Sequence, residues 1–170
     1  DGKPYKFANV LSFIVCDWNI VMENAPIGLV EMAGGEMVSY NADSDTSAQI
    51  AILEDLLMNP PDGLIMLPTD SGIMVPIVEK CYDAGLGVYN YDHWVETDKV
   101  MHKASHDQVM CGYLAAGKLV EIAERTGEPI KVLEFWGVMG QEGSERRHTG
   151  FAQGCAESDL VTVREAGDCL

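Results

Sequence analysis

Residues 63–67 read GLIML, apolar at all but the glycine, so a strand built from them can turn neither face to water. Strands of this kind belong inside a parallel sheet covered on both sides. Further strand-like runs recur at 5–14 (YKFANVLSFI), 36–40 (EMVSY), 87–91 (GVYNY), 129–135 (PIKVLEF) and 160–164 (LVTVR), with a shorter one within 100–105. Helical patterns alternate with them. One spans 18–33, where Pro26 is expected to kink or restart it. A second begins at an Asp45 or Thr46 cap, has Gln49 near its first turn, and sets Ile50, Ile52, Leu53, Leu56 and Leu57 on one stripe. Others span 73–84, 107–126 (closed by Gly127) and 145–157. Strand and helix in turn predict an α/β fold with a doubly wound parallel sheet. Such sheets bind ligands outside the carboxyl ends of their strands.

The chain of 170 residues carries a formal net charge of −16, which argues against nucleic acid as a partner. No apolar run is long enough to cross a bilayer, so no membrane insertion is expected. The chain starts at Asp1 without a Met or signal peptide, and its amino terminus does not reveal a compartment. Its five cysteines show no CxxC spacing, and Cys81 reads as a small core residue.

Four segments together carry a family resemblance: NADSDTSAQIAILEDLL, DGLIMLPTDSGIMVPIVEKCYDAGLGVYNYD, SHDQVMCGYLAAGKL and KVLEFWGVMGQEGSERRHTGFAQG. In this combination the chain resembles the periplasmic sugar-binding proteins of ABC transporters, of the type I, ribose-binding-like class. The resemblance implies two α/β lobes that trap a solute between them. Residues 1–101 correspond to the first pass of the amino-terminal lobe, and 102–170 to part of the second, whose remainder is absent. It further implies a monosaccharide or polyol as ligand, an ABC permease as partner, and a periplasmic or extracytoplasmic location that a lipid anchor could secure. No cofactor and no catalysis are expected.

Carried residue by residue, the resemblance makes Asp92 the strand-end acid that accepts sugar hydroxyls, against a plain capping role. Arg147 in SERRHTGF corresponds to a guanidinium that donates to sugar oxygens, while Arg146 reads as an ion-paired helix residue. Trp18 falls where relatives stack an aromatic ring on the sugar; lobe packing is the competing role. Cys16, Asp17 and Asn19 share its loop and either bind hydroxyls or cap the helix. His93 and Trp94 stand where relatives often carry Arg, and one of the two is expected to face the ligand. Leu67 replaces a polar contact, Asp70 reads as a helix cap, and Cys169 falls at an aromatic wall position.

Other chemistries are weaker. Cys16, Asp92, His93 and Asp107 are types found in Cys–His nucleophilic sites, but no signature joins them. His102 and His106, four apart and near Cys111, would suit a helix, but His102 reads as strand and His106 as lying just before a helix, and no metal site is expected. GVMGQEGS has neither phosphate-loop spacing. The alternative with most support is an effector or sensor domain of a LacI-type regulator or membrane receptor, which shares this lobe architecture.

Overall fold

The computed structural model describes residues 2–165. The chain forms two compact units that divide between Ala104 and Ser105. The first contains β1 (Lys6–Leu11), α1 (Asp17–Met32), β2 (Glu36–Asn41), α2 (Thr46–Met58), β3 (Gly63–Met66), α3 (Val75–Asp83), β4 (Val88–Tyr91) and β5 (His102–Ala104). The second contains α4 (Gln108–Thr126), β6 (Ile130–Glu134), α5 (Glu142–Cys155) and β7 (Val161–Glu165). The division falls beyond residue 101 because residues 102–104 pair in parallel with β4 and complete the first sheet.

That sheet has the order β2-β1-β3-β4-β5, and every pairing is parallel. It is the doubly wound α/β architecture that the apolar runs predict. The order reverses between β1 and β3, so the crevice beyond their carboxyl ends is the topological switch point. On one face, Ala8, Val10, Leu64, Met66 and Val88 pack against Leu53 of α2 and Ile77, Val78 and Cys81 of α3. The expected α2 stripe is there: Leu53 is buried and Ile50, Ile52, Leu56 and Leu57 pack around it. Cys81 is a core residue, and burial raises its thiol pKa to about 11.

Alternation turns Asn9 of β1 to the opposite face, toward α1. There it answers Pro26. A proline has no N–H, so the Met22 carbonyl four residues earlier loses its helical donor. Asn9 Nδ2 donates to that oxygen at 3.1 Å, and α1 runs unbroken from Asp17 to Met32 instead of restarting. The first strand ends at Leu11, earlier than its apolar pattern, because the chain leaves the sheet to reach α1.

In the second unit β6 and β7 pair in parallel. Their helices α4 and α5 approach at glycines: a Cβ on Gly112 would lie 1.9 Å from the Arg147 carbonyl oxygen, and one on Gly150 would lie 1.8 Å from that of Val109. Only glycine fits either position. Helix α5 begins at Glu142, three residues before the expected start.

Replacing Asn9 with Ala strands the Met22 carbonyl and is expected to cost about 1–3 kcal/mol. Adding Pro26→Ala returns a backbone N–H to that carbonyl and should recover part of the loss. Urea unfolding midpoints of the single and double variants check both outcomes.

Candidate functional site

The crevice beyond β1, β3 and β4 is built by loops that buried polar side chains hold in place. Three successive carbonyls at the end of β3 each accept from a different side chain. Asn90 Nδ2 donates to Met66 O at 3.1 Å, Gln49 Nε2 to Leu67 O at 2.9 Å, and His93 Nε2 lies 2.9 Å from Pro68 O. Gln49 Oε1 also accepts from Thr69 N at 2.8 Å and Thr69 Oγ1 at 3.0 Å. Asn90 Oδ1 accepts from Val95 N, tying down the segment after β4. Asp70 then caps the turn leading to α3, accepting from the N–H groups of Gly72 and Ile73.

Asp92 sits one residue beyond β4 with φ 63°, in the left-handed region that few side chains other than Asn and Asp tolerate. Its backbone N–H donates to Ala104 O at 2.8 Å. Its side chain is 23% exposed, and Oδ2 lies 3.1 Å from His93 Nδ1. The charge of Asp92 adds to burial, the larger cause, in raising the pKa of the Tyr91 hydroxyl, to which Glu23 contributes least.

The segment after β1 supplies the other wall. Cys16 is the N-cap of α1, and Asp17, Trp18 and Asn19 form its first turn. Trp18 is 43% exposed and its ring lies 6.5 Å from that of Tyr91, the residue before Asp92. Asp17 is exposed. Asn19 is 1% exposed, and its Oδ1 accepts from Val15 N and Cys16 Sγ, each at 3.2 Å. It therefore braces the loop from within, which corrects its expected place beside a solute.

His93 is 4% exposed with both ring nitrogens against protein oxygens, so of the two residues of which one was expected to face the ligand it is the inward-turned one. Leu67 is fully buried. Trp94 is half-buried with Lys103 Nζ 5.4 Å from its ring centre. That contact is close enough for a cation–π interaction.

In the second unit Arg147 is an exposed residue whose Nη1 donates to Oε1 of buried Gln108 at 2.7 Å. The close glycine packing of α4 and α5 sets this distance. Arg146 pairs with Glu142 across one helical turn at 3.1 Å. A cluster not anticipated from sequence lies nearby in the chain. The ring of His148 stacks on Trp136 at 3.7 Å, and its Nδ1 lies 3.1–3.2 Å from the Glu134 carboxylate. The aromatic ending of LEFW, at the close of β6, was the available signal for it. Cys169 lies outside the described residues.

The fold is thus a doubly wound parallel sheet with Asp92 at the carboxyl end of β4 and the exposed Trp18 indole on the first turn of α1. The profile described as "Periplasmic binding protein domain" matches residues 7–169, and the chain belongs to that family. It is 30% identical over 135 residues to the ribose import binding protein of Bacillus subtilis (strain 168), covering 79% of this chain and 43% of that one. It is 28% identical over 129 residues to a D-ribose/D-allose-binding protein of Pseudomonas aeruginosa, covering 72% and 40%. Among solved structures, a galactofuranose binding protein superposes with TM-score 0.88 at 18% identity, over 96% of this chain and 56% of that one. The Caulobacter myo-inositol binding protein superposes with TM-score 0.87 at 16% identity, over 99% and 56%. These superpositions establish the type I periplasmic-binding-protein fold. The chain spans about half the length of its relatives.

Gln49→Leu keeps the volume near α2 but leaves Leu67 O and Thr69 N–H without their side-chain partner. We expect a loss of about 3 kcal/mol, read from urea unfolding followed by circular dichroism.

Proposed function

We propose that this chain is the amino-terminal portion of a solute-binding protein that captures a monosaccharide or polyol for an ABC importer. The observation that carries the reading is the Asp92 carboxylate, held partly open at the carboxyl end of β4 within reach of the Trp18–Tyr91 pair. An ionised carboxylate accepts hydroxyl protons through short, charge-assisted bonds. An exposed indole covers the apolar C–H face of a sugar ring. On this reading Trp18 supplies that face. Relatives and structural neighbours that are named as binding proteins for ribose, allose, galactofuranose or myo-inositol support the same ligand class.

On this reading Arg147 is the second lobe's donor. Its guanidinium is held by Gln108 through one of five N–H groups, which leaves a planar fork for solute oxygens. Asp17 and Cys16 border the crevice beside Trp18 and tune which hydroxyls fit. The bound form would be presented to the permease on the extracytoplasmic side.

The test uses the full-length protein and isothermal titration with D-ribose, D-allose and myo-inositol. Asp92→Asn is the appropriate variant, because Asn tolerates the left-handed backbone where Ala is strained. Removing the charged acceptor should weaken binding of the preferred solute about 10- to 100-fold with an unchanged melting temperature. Unchanged affinity would refute the site.

A further inference from the structure

Arg147 and His148 are neighbours on α5, but successive helical side chains stand about 100° apart, so the two meet different elements. Arg147 reaches Gln108 of α4. His148 reaches Glu134 and Trp136 at the end of β6. We infer that His148, stacked on Trp136, is a positioning residue for Arg147: a strut that sets how far α5 stands off β6. This inference rests on the proposed role of Arg147 as a solute donor.

The two sides of α5 are packed differently. Toward α4 the backbones touch, since even a Cβ on Gly112 would lie 1.9 Å from the Arg147 carbonyl oxygen. Movement in that direction is blocked. Toward the sheet there is room. His148, Ala152 and Cys155, spaced along one face of α5, line a cleft of about 230 Å³ with Glu134, Val161 and Val163. Structure around such a space relaxes into it unless something props it open. At the end of the cleft nearest Arg147 in sequence, two flat rings do so. The His148 and Trp136 rings lie 3.7 Å apart with their planes inclined by 22°.

The strut is held at both ends. His148 Nδ1 lies 3.2 and 3.1 Å from the two oxygens of Glu134, the last residue of β6. A carboxylate only accepts, so Nδ1 is the donor, and a neutral imidazole supplies the one N–H required. The Glu134 side chain is itself mostly buried, which makes it a fixed anchor. Trp136 Nε1 is buried and meets no acceptor among the described residues, so packing rather than a hydrogen bond places the indole. Arg147 is sensitive to any shift of the helix. Its bond to Gln108 is 2.7 Å long, and such bonds weaken steeply as distance and angle depart from the optimum.

A double-mutant cycle separates positioning from support of the fold. The full-length protein is titrated calorimetrically with whichever of D-ribose, D-allose and myo-inositol the wild type holds most tightly. His148→Asn keeps an N–H near the place of Nδ1 for Glu134 but removes the stacked ring. It is made in the wild type and in Arg147→Ala. Arg147→Lys, which lacks the guanidinium fork, is the background if the alanine variant binds too weakly to titrate. Positioning predicts that His148→Asn weakens binding about fivefold in the wild type and less than twofold once Arg147 is gone. His148→Phe, which keeps a ring against Trp136, should bind within about twofold of wild type despite a lower melting temperature. The same loss from His148→Asn in both backgrounds, or a lower melting temperature with no loss in either, would overturn the inference and leave Arg147 in its role. An Arg147→Ala variant that binds as wild type would overturn both.

Discussion

The crevice depends on one constraint: the carbonyls of Met66, Leu67 and Pro68 must be satisfied after β3 leaves the sheet. A buried carbonyl without a donor costs free energy on the scale of a lost hydrogen bond. The chain meets this with three side chains, Asn90, Gln49 and His93, drawn from β4, α2 and the loop after β4. Each also holds a second group: Asn90 the Val95 N–H, Gln49 the Thr69 N–H and His93 the Asp92 carboxylate. The strand ends are thereby joined into one frame. Asp92 and Asp70 are placed by it, and loop positions gain a precision normally found in strands.

The same solution appears on the other face of the sheet. Pro26 removes a helical donor, and Asn9 replaces it from β1. Helix α1 is thus pinned to the first strand by a polar bond at the point where its own ladder is broken. That bond bears on the site, because the first turn of α1 carries Trp18. In the second unit the placing force is steric: glycines let α4 and α5 touch, and Arg147 comes to Gln108 as a result.

What was legible in the sequence was local. GLIML announces a strand covered on both faces, Asp45 and Gly127 cap their helices as expected, and Cys81 falls on an apolar stripe; Asp70, expected to cap α3, instead holds the turn before it, and Met74 is the N-cap. The end of β4 just before Asp92 was legible because a strand's end is itself a local signal. The polar braces were not. Gln49, Asn90 and His93 reach partners 18, 24 and 25 residues away, and nothing in their own neighbourhoods distinguishes them from surface residues. Gln49 would complete a capping box only with Thr46 as N-cap; the cap is Asp45, and the Gln49 amide serves a different loop. His93, just past β4, and Asn19, in the first turn of α1, look like ligand contacts for the same reason: a polar residue near the ligand end of the sheet reads alike whether it faces the crevice or supports it.

The backbone at Asp92 has a consequence for how such a site can change. With φ at 63°, the position accepts Asp, Asn or Gly without strain and resists most other side chains. Its chemical alphabet is narrow before any solute is considered. Trp18 and Asp17 carry no such restriction, since they occupy an ordinary helical turn with their side chains exposed. On the proposed function, divergence in solute preference would therefore be channelled: a hydroxyl acceptor at position 92 is hard to replace, and the exposed first turn of α1 is free to vary.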